Sequence, residues 1–239
     1  MPARRRLLQR GAAAGTLALL GGCTWWVQPR PGPMELLHLD DRGPYAAPTL
    51  VVMLPGAYSA PGDFVDEGFV AALRAERVHA DVVLAGARIE HYVEGQVLQR
   101  LQSEVIGPAR QRGVQRIWLV GISLGGLFAM GHAARYDAQV DGLVVLAPYL
   151  GRRTLLMEMA AAGGPEPWAQ GRQPQDDDLL EHEVWAWLAR RPTQPQLHLG
   201  FGSTDRFAEA HRLLAARLPA DRVQQAEGGH DWPVWRELW

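Results

Sequence analysis

Lysine is absent from this chain of 239 residues, cysteine occurs once, and the two signs of charge nearly balance. All 24 basic residues are arginines, which excludes Schiff-base catalysis and the lysine of a phosphate-binding P-loop. One cysteine excludes an intrachain disulfide framework and a multi-cysteine zinc site. A net charge of −2 lacks the basic excess of nucleic-acid-binding proteins. The composition, 47% hydrophobic and 21% charged, is that of a globular chain.

Two familiar signatures are also missing. Glu181-His182-Glu183 lacks the second histidine that the helix of a zinc protease requires. No G-x-G-x-x-G fingerprint follows a predicted strand, so a dinucleotide is not indicated. We therefore expect neither a metal nor a cofactor.

The first residues have the pattern of an export signal. A basic start precedes Gly11–Gly22, an uncharged stretch that is too short to span a bilayer but suits a secretory leader. Cys23 follows Leu20-Gly21-Gly22, which resembles the processing box of bacterial lipoproteins, where such a cysteine is lipidated and becomes the N-terminus. We predict a signal peptide over 1–22 and a lipid-anchored tether over 23–34.

This pattern implies an exported protein of the bacterial cell envelope that faces the periplasm and is held to the membrane by a lipidated Cys23. An ordinary leader with a coincidental cysteine is the alternative, and the twin-arginine and general secretory routes both remain open. Four arginines belong to the leader, so the mature chain would carry 20 basic and 26 acidic residues. Its folded domain would contain no cysteine, so a nucleophile there must be a hydroxyl.

Beyond the tether, short apolar runs alternate with amphipathic stretches, which predicts a doubly wound α/β domain over 35–239 with a mostly parallel sheet. Residues 149–195 interrupt this alternation and predict a short helical cap insertion before the penultimate strand. The predicted strands are Thr49–Leu54, Ala80–Leu84, Arg116–Ile122, Asp141–Leu146, Gln196–Phe201 and Val223–Ala226. The predicted helices are Asp63–Arg77, Val93–Arg112, Leu124–Arg135, Phe207–Arg217 and Trp232–Trp239.

Gly121-Ile122-Ser123-Leu124-Gly125 matches G-x-S-x-G at the point where a predicted strand meets a predicted helix. A sharp turn there lifts the serine hydroxyl above the sheet, and Gly121 and Gly125 leave room where a Cβ would clash. The dipole of the following helix favours a developing oxyanion. Of the four serines, only Ser123 satisfies the pattern, which predicts that it is the nucleophile rather than part of a plain Gly-rich turn.

On this elbow and the strand–helix alternation, the chain resembles the α/β-hydrolase family from about Leu36 to Trp239. The resemblance implies a serine hydrolase whose partners follow in the order serine, acid, histidine. His230 lies in a Gly-rich loop between the last predicted strand and the terminal helix, where the family places its general base. The alternative is a surface histidine at a helix N-terminus.

For the acid, the resemblance points to Asp205, which follows the penultimate strand. A carboxylate there orients the imidazole and stabilises its cation. The alternative is a helix N-cap, and Asp231 and the Asp176–Asp178 run are weaker candidates for the acid.

The oxyanion hole needs two N–H donors. One is the N–H of Leu124, and the resemblance assigns the second to Ala57, with Tyr58 next. Pro55 departs from the family pattern, because it stands where a histidine often precedes the glycine.

Together these residues predict a serine hydrolase that cleaves carboxylic esters through a Ser123–His230–Asp205 triad and an acyl-enzyme, with a small-molecule acyl substrate. A thioesterase, an amidase or an acyltransferase on the same site remains an alternative, as does a non-catalytic surface binding protein of the same fold. The tryptophan-rich insertion is also a candidate docking surface, and its Met157, Met159 and Trp168, with Tyr58 and Tyr149, are either cleft lining or plain core.

Overall fold

The computed structural model describes residues 32–39, 47–87, 92, 95–136, 139–175, 178–190 and 193–239. The predictions for the leader and for Cys23 lie outside these residues, as does all of the predicted tether except 32–34. Met34 is buried there, and its N–H donates to Glu104 Oε2 at 2.8 Å. Within the described ranges, no helix is long and apolar enough to cross a membrane.

Seven strands of the described residues form one sheet: β1 (Glu35–His38), β2 (Thr49–Leu54), β3 (Asp81–Gly86), β4 (Arg116–Ile122), β5 (Gly142–Leu146), β6 (Gln196–Gly202) and β7 (Val223–Ala226). Their order in the sheet is β1-β3-β2-β4-β5-β6-β7, and every neighbouring pair is parallel except β1 with β3. β2 and β3 are buried along their whole length, as expected for apolar strands covered on both faces.

Helices cover both faces of this sheet. They are α1 (Asp63–Asp66), α2 (Phe69–Ala75), α3 (the run 97–111, whose middle Leu101–Ile106 is π-helical), α4 (Leu124–Arg135), α5 (Arg153–Ala161), α6 (Pro165–Gly171), α7 (Leu179–Ala189), α8 (Ala208–Ala215) and α9 (Trp232–Leu238). One face of the sheet packs on α3, α4, α8 and the insertion helices α5, α6 and α7, and the other face packs on α1, α2 and α9. The predicted doubly wound α/β fold is confirmed.

Two elements differ from the sequence prediction. The helix expected over Asp63–Arg77 is two helices, because Gly68 between them takes a left-handed φ of 81° that a helix cannot contain. The edge strand β1 had no prediction, because its half-exposed residues lack a clear alternation and it forms by pairing antiparallel with β3.

The described part of 149–195 consists of helices α5, α6 and α7, as predicted. Its tryptophans are buried, with Trp168 at 3%, Trp185 at 0% and Trp187 at 4% exposure, so these rings cannot supply the docking surface that was an alternative for this segment. Met159 is equally buried and belongs with Trp168 to the core, whereas Met157 is exposed. The insertion is therefore packed onto the sheet domain by its own aromatic residues.

Arginines fasten the insertion internally and to the sheet domain. Arg172, after α6, binds Asp178 through two nitrogens at 2.5 and 3.0 Å and Glu158 of α5 at 2.8 Å. Arg217, after α8, binds both oxygens of Glu166 in α6 at 2.6 and 2.9 Å. These forked contacts hold the insertion helices in fixed positions beside the carboxyl ends of the strands.

Candidate active site

Ser123 lies on the turn between β4 and α4 with φ 53° and ψ −115°, a conformation that non-glycine residues rarely adopt. Its N–H donates to Leu146 O at 3.0 Å, and its carbonyl accepts from Tyr149 N–H at 2.8 Å. These two bonds tie the strained turn to the end of β5 and the residues after it. The geometry is that of a nucleophile elbow.

The two elbow glycines are required by packing. A Cβ on Gly121 would collide with Gly125 O, and one on Gly125 would collide with Leu54 O. The strand, the turn and the helix start therefore approach one another more closely than any side chain permits.

His230 connects the elbow to an acid. Its Nε2 lies 3.0 Å from Ser123 Oγ, and its Nδ1 lies 2.7 Å from Asp205 Oδ2. With the proton on Nδ1 donated to Asp205, Nε2 can accept the serine proton. The structure thus brings together three residues that are separated by up to 107 positions in the chain.

Close backbone approach positions the loop of His230. A Cβ on Gly202, at the end of β6, would collide with the carbonyl of Gly228. On the other side of the loop, Asp231 caps α9 by accepting from Val234 N–H at 3.3 Å. The loop is therefore fixed at both ends, and the imidazole projects toward Ser123.

Asp205 is a buried carboxylate whose two oxygens have separate partners. Oδ2 accepts from His230, and Oδ1 accepts from Phe207 N–H at 2.8 Å. Burial opposes its ionisation, but the hydrogen bonds from His230 and from the Phe207 N–H outweigh it, so the pKa of Asp205 lies below its ordinary value. The carboxylate is therefore charged at neutral pH.

Two aromatic rings enclose the imidazole of His230. The rings of Phe207 and Trp235 each lie perpendicular to it, with centroids 5.1 Å away. Edge-to-face packing of this kind is favourable and restricts rotation of the imidazole. Only 10% of the His230 side chain is exposed.

The loop after β2 approaches the nucleophile. A Cβ on Gly56 would lie 3.4 Å from Ser123 Cβ, and Ala57 follows directly. Leu124 begins α4, so its N–H has no carbonyl partner within that helix. Tyr58 is 95% exposed and contributes no packing to the site. Both predicted donor segments therefore flank Ser123.

The weaker candidates for the acid lie elsewhere. Asp231 is the cap of α9, and Asp178 is held by Arg172, while Asp176 and Asp177 lie outside the described residues. Two other histidines that follow the elbow are core residues: His132 bonds Gln102 Oε1, and His211 bonds Pro148 O. Burial lowers the pKa of both, to about 4 for His132.

Tyr92 and Glu181 form a polar contact that no sequence pattern predicted. Tyr92 OH donates to Glu181 Oε1 at 3.0 Å, across 89 positions of the chain. Neither residue belongs to a recognisable motif, so only the folded structure brings them together. Among the described residues there is no cluster of three metal-ligating side chains.

Known proteins resemble this chain in sequence and in fold. The family model described as "Putative esterase" matches residues 84–238. The chain is 29% identical over 130 residues to the 2-succinyl-6-hydroxy-2,4-cyclohexadiene-1-carboxylate synthase of Enterobacter sp. (strain 638), covering 50% of this chain and 48% of that protein. The chain thus spans about half the length of this curated relative.

Solved structures of hydrolases share the fold at low sequence identity. S-formylglutathione hydrolase (FrmB) of Staphylococcus aureus matches with a TM-score of 0.53 and 14% identity, covering 87% of this chain and 95% of that one. The fluorophosphonate-binding serine hydrolase FphF of the same organism gives 0.54 and 14%, over 87% and 96%. Est1E of Butyrivibrio proteoclasticus gives 0.53 and 15%, over 86% and 88%.

The matched residues 84–238 contain the elbow, the acid loop and the histidine loop, and they make up more than half of the chain. The sheet topology agrees with the hydrolase structures. The chain therefore belongs to the Esterase family and has the α/β-hydrolase fold.

Proposed function

We propose that this protein is a carboxylic-ester hydrolase that cleaves its substrate through a Ser123–His230–Asp205 triad and a covalent acyl-enzyme. The observation that carries the proposal is the continuous hydrogen-bonded chain from Ser123 Oγ through His230 to Asp205, at 3.0 and 2.7 Å. Nucleophile, base and orienting acid are each within hydrogen-bond reach of the next, as acyl transfer requires.

In the first half-reaction, Ser123 Oγ attacks the carbonyl carbon of the ester while His230 Nε2 takes the hydroxyl proton. Asp205 holds the imidazole in its orientation and stabilises its cation, a role suited to a buried, charged carboxylate. The tetrahedral intermediate collapses, the bond to the alcohol oxygen breaks, and Nε2 delivers its proton to that oxygen. The alcohol leaves, and the acyl group stays on Ser123.

In the second half-reaction, a water molecule gives its proton to His230 Nε2 and attacks the acyl carbon. Collapse of this second intermediate returns the proton to Ser123 Oγ and releases the acid. We assign the oxyanion of both intermediates to the N–H groups of Leu124 and Ala57. The assignment is supported by the free helix start at Leu124 and by the approach of Gly56 to Ser123.

A serine-directed fluorophosphonate probe tests this proposal. The wild-type enzyme is expected to form a covalent adduct, detected as a mass increase on the peptide that contains residue 123. Ser123→Ala is expected to abolish both the adduct and the hydrolysis of p-nitrophenyl acetate. Ser103→Ala is the matched control, because Ser103 is an exposed serine of α3, and it should label like the wild type. Equal labelling of Ser123→Ala and wild type would contradict the assignment.

We further propose that the enzyme is exported and held to a bacterial envelope membrane through a lipidated Cys23. The support is the order of features in the sequence: a basic start, an uncharged stretch of leader length, and the Leu20-Gly21-Gly22-Cys23 box. A lipid at Cys23 would place the catalytic domain at a membrane surface.

A further inference from the structure

His211 is a buried histidine of α8 that the mechanism above does not use. Its side chain is 0% exposed, and its Nε2 lies 2.9 Å from Pro148 O, across 63 positions of the chain. A carbonyl oxygen only accepts, so Nε2 is the protonated nitrogen of the ring. Burial lowers the pKa of His211, which keeps the ring neutral. Its Nδ1 is also buried and has no hydrogen-bond partner among the described residues.

Such a ring has a cost that an apolar side chain in the same place would not have. A buried acceptor without a partner loses its hydrogen bonds to water and gains none in the fold. In return, the imidazole supplies one hydrogen bond of fixed direction, from α8 to the residues that follow β5. The role of His211 therefore depends on the two segments that this bond joins.

One of these segments, at the end of β5 and just after it, holds the nucleophile. Leu146 O accepts from Ser123 N–H at 3.0 Å, and Tyr149 N–H donates to Ser123 O at 2.8 Å. Pro148, the partner of His211, lies between these two residues and immediately before Tyr149. The bond from His211 thus reaches this segment within one residue of a contact with Ser123.

The other segment carries the acid and a ring that packs on the base. Phe207 N–H donates to Asp205 Oδ1 at 2.8 Å, and the Phe207 ring lies perpendicular to that of His230, with centroids 5.1 Å apart. His211 follows one helical turn later. Its N–H donates to Phe207 O at 3.1 Å, and its ring packs edge-on against the Phe207 ring at 6.5 Å. His211 is thus joined to the residue that contacts both Asp205 and His230.

A second buried histidine provides a comparison within the same chain. His132 of α4 is also 0% exposed, its Nε2 pairs with Gln102 Oε1 at 2.9 Å, and its buried Nδ1 likewise has no described partner. Its bond joins α4 to α3, about 14 Å along the helix from Ser123 at 1.5 Å of rise per residue. The two histidines therefore match in burial and in bonding, and they differ in the segments that they join.

We propose that His211 is a positioning residue of the triad: its hydrogen bond to Pro148 O fixes the segment that holds Ser123 against the segment that carries the acid and contacts the base. The bond thereby keeps Ser123 Oγ and His230 Nε2 at the 3.0 Å over which the proton is transferred. A displacement of about 1 Å between reacting groups lowers the rate by about 100-fold. This inference rests on the proposed function, because it assumes that a proton moves between these two atoms.

The test compares His211→Gln with His211→Met, two replacements of nearly the same shape. The glutamine amide nitrogen is as many bonds from Cβ as the histidine Nε2, so it can donate to Pro148 O, whereas methionine has no donor. We expect His211→Met to lower kcat for p-nitrophenyl acetate by about 10- to 100-fold and to leave KM within about twofold of the wild type. Because the hydrogen bond is restored, His211→Gln should keep kcat within about threefold of the wild type.

His132→Gln and His132→Met are the matched controls. Urea denaturation should show losses of stability comparable to those of the two His211 variants, because both sites are equally buried. Their kcat should nevertheless stay within about twofold of the wild type, because the His132 bond joins α4 to α3. A purely structural role for His211 predicts instead that kcat follows stability at both sites.

Three results would overturn the inference: a wild-type kcat in His211→Met, equal losses of kcat in His211→Gln and His211→Met, or equal losses of kcat at His211 and His132. If His211→Met does not fold, the imidazole ¹⁵N chemical shifts of the wild type still test the bond. Protonation of His211 on Nε2 is expected, and protonation on Nδ1 would contradict the bond to Pro148 O. A wild type without Ser123-dependent labelling and without p-nitrophenyl acetate hydrolysis would instead contradict the proposed function itself, so the two failures are distinguishable.

Discussion

At the scale of single residues, Asp205 divides its two oxygens between a local partner and a distant one. Its Oδ1 accepts from Phe207 N–H and its Oδ2 holds His230, whereas the N-cap of α8 is Phe207, so Asp205 is not the helix cap that the sequence offered as the alternative. The same carboxylate thus fixes the start of its own loop and the orientation of the imidazole.

We predict that Asp205→Asn lowers kcat/KM by about 10⁴-fold, because an amide in place of the carboxylate favours the wrong tautomer of His230. Steady-state hydrolysis of p-nitrophenyl acetate measures this loss. Asp231→Asn is the control, since asparagine also caps a helix well and Asp231 makes no contact with the imidazole nitrogens. Comparable losses in both variants would argue against Asp205 as the orienting acid.

Part of the site was predictable from residues and part was not. Ser123 was marked by its flanking glycines and His230 by its glycine loop, and both signals are local. Tyr92 and Glu181 carry no such mark, because their hydrogen bond joins residues that are 89 positions apart in the chain. A contact between residues far apart in the chain leaves no local motif, so it cannot be predicted from sequence patterns.

At the scale of elements, the three insertion helices are joined by a largely buried ion pair. Arg172 joins α5, the end of α6 and the start of α7, and the side chains of Arg172 and Asp178 are only 15% and 4% exposed. An exposed pair elsewhere, Arg236 with Glu67, involves side chains that are 50% and 26% exposed. The two pairs permit a direct comparison of buried and exposed ionic contacts in one protein.

We predict that Arg172→Met lowers the free energy of unfolding by about 3–5 kcal/mol, because it leaves the Asp178 carboxylate buried and unpaired. Arg236→Met should cost less than about 1 kcal/mol. Urea denaturation followed by circular dichroism measures both values. A loss for Arg172→Met as small as that for Arg236→Met would show that the insertion does not rely on this pair.

The same pair has a pH dependence with a definite sign. The folded-state pKa of Asp178 is lowered, so its contribution to stability is present above the unfolded-state pKa and is lost as pH falls through the folded-state pKa. The stability difference between the wild type and Arg172→Met should therefore shrink in acid. Denaturation curves at neutral and at strongly acidic pH check this.

Element boundaries were predictable where the pattern was strong. Leu124–Arg135 and Val223–Ala226 agree with the sequence prediction at both ends. The π-helical middle of α3 was not predictable, because its sequence has the pattern of an ordinary amphipathic α-helix. Gln102 in this segment is bonded to the buried His132, a tertiary contact with no local signal.

At the scale of the whole molecule, attachment to a membrane can be tested independently of catalysis. We predict that the wild type partitions into the detergent phase of Triton X-114 and incorporates labelled palmitate, whereas Cys23→Ser does neither. Lipidation needs the thiol and does not involve the catalytic residues, so Cys23→Ser should retain fluorophosphonate labelling of Ser123. Detergent partitioning unchanged in Cys23→Ser would contradict the anchor.

The parts of the site come from widely separated parts of the chain. Ser123 follows β4, whereas Asp205 follows β6 and His230 follows β7. His230 lies 107 positions after the serine. During synthesis the elbow is therefore made long before its base exists. A partly synthesised chain, or one cut before the glycine loop, would carry a serine with no base to activate it. The hydrogen-bonded chain from Ser123 to Asp205 can therefore form only when the last strand has joined the sheet.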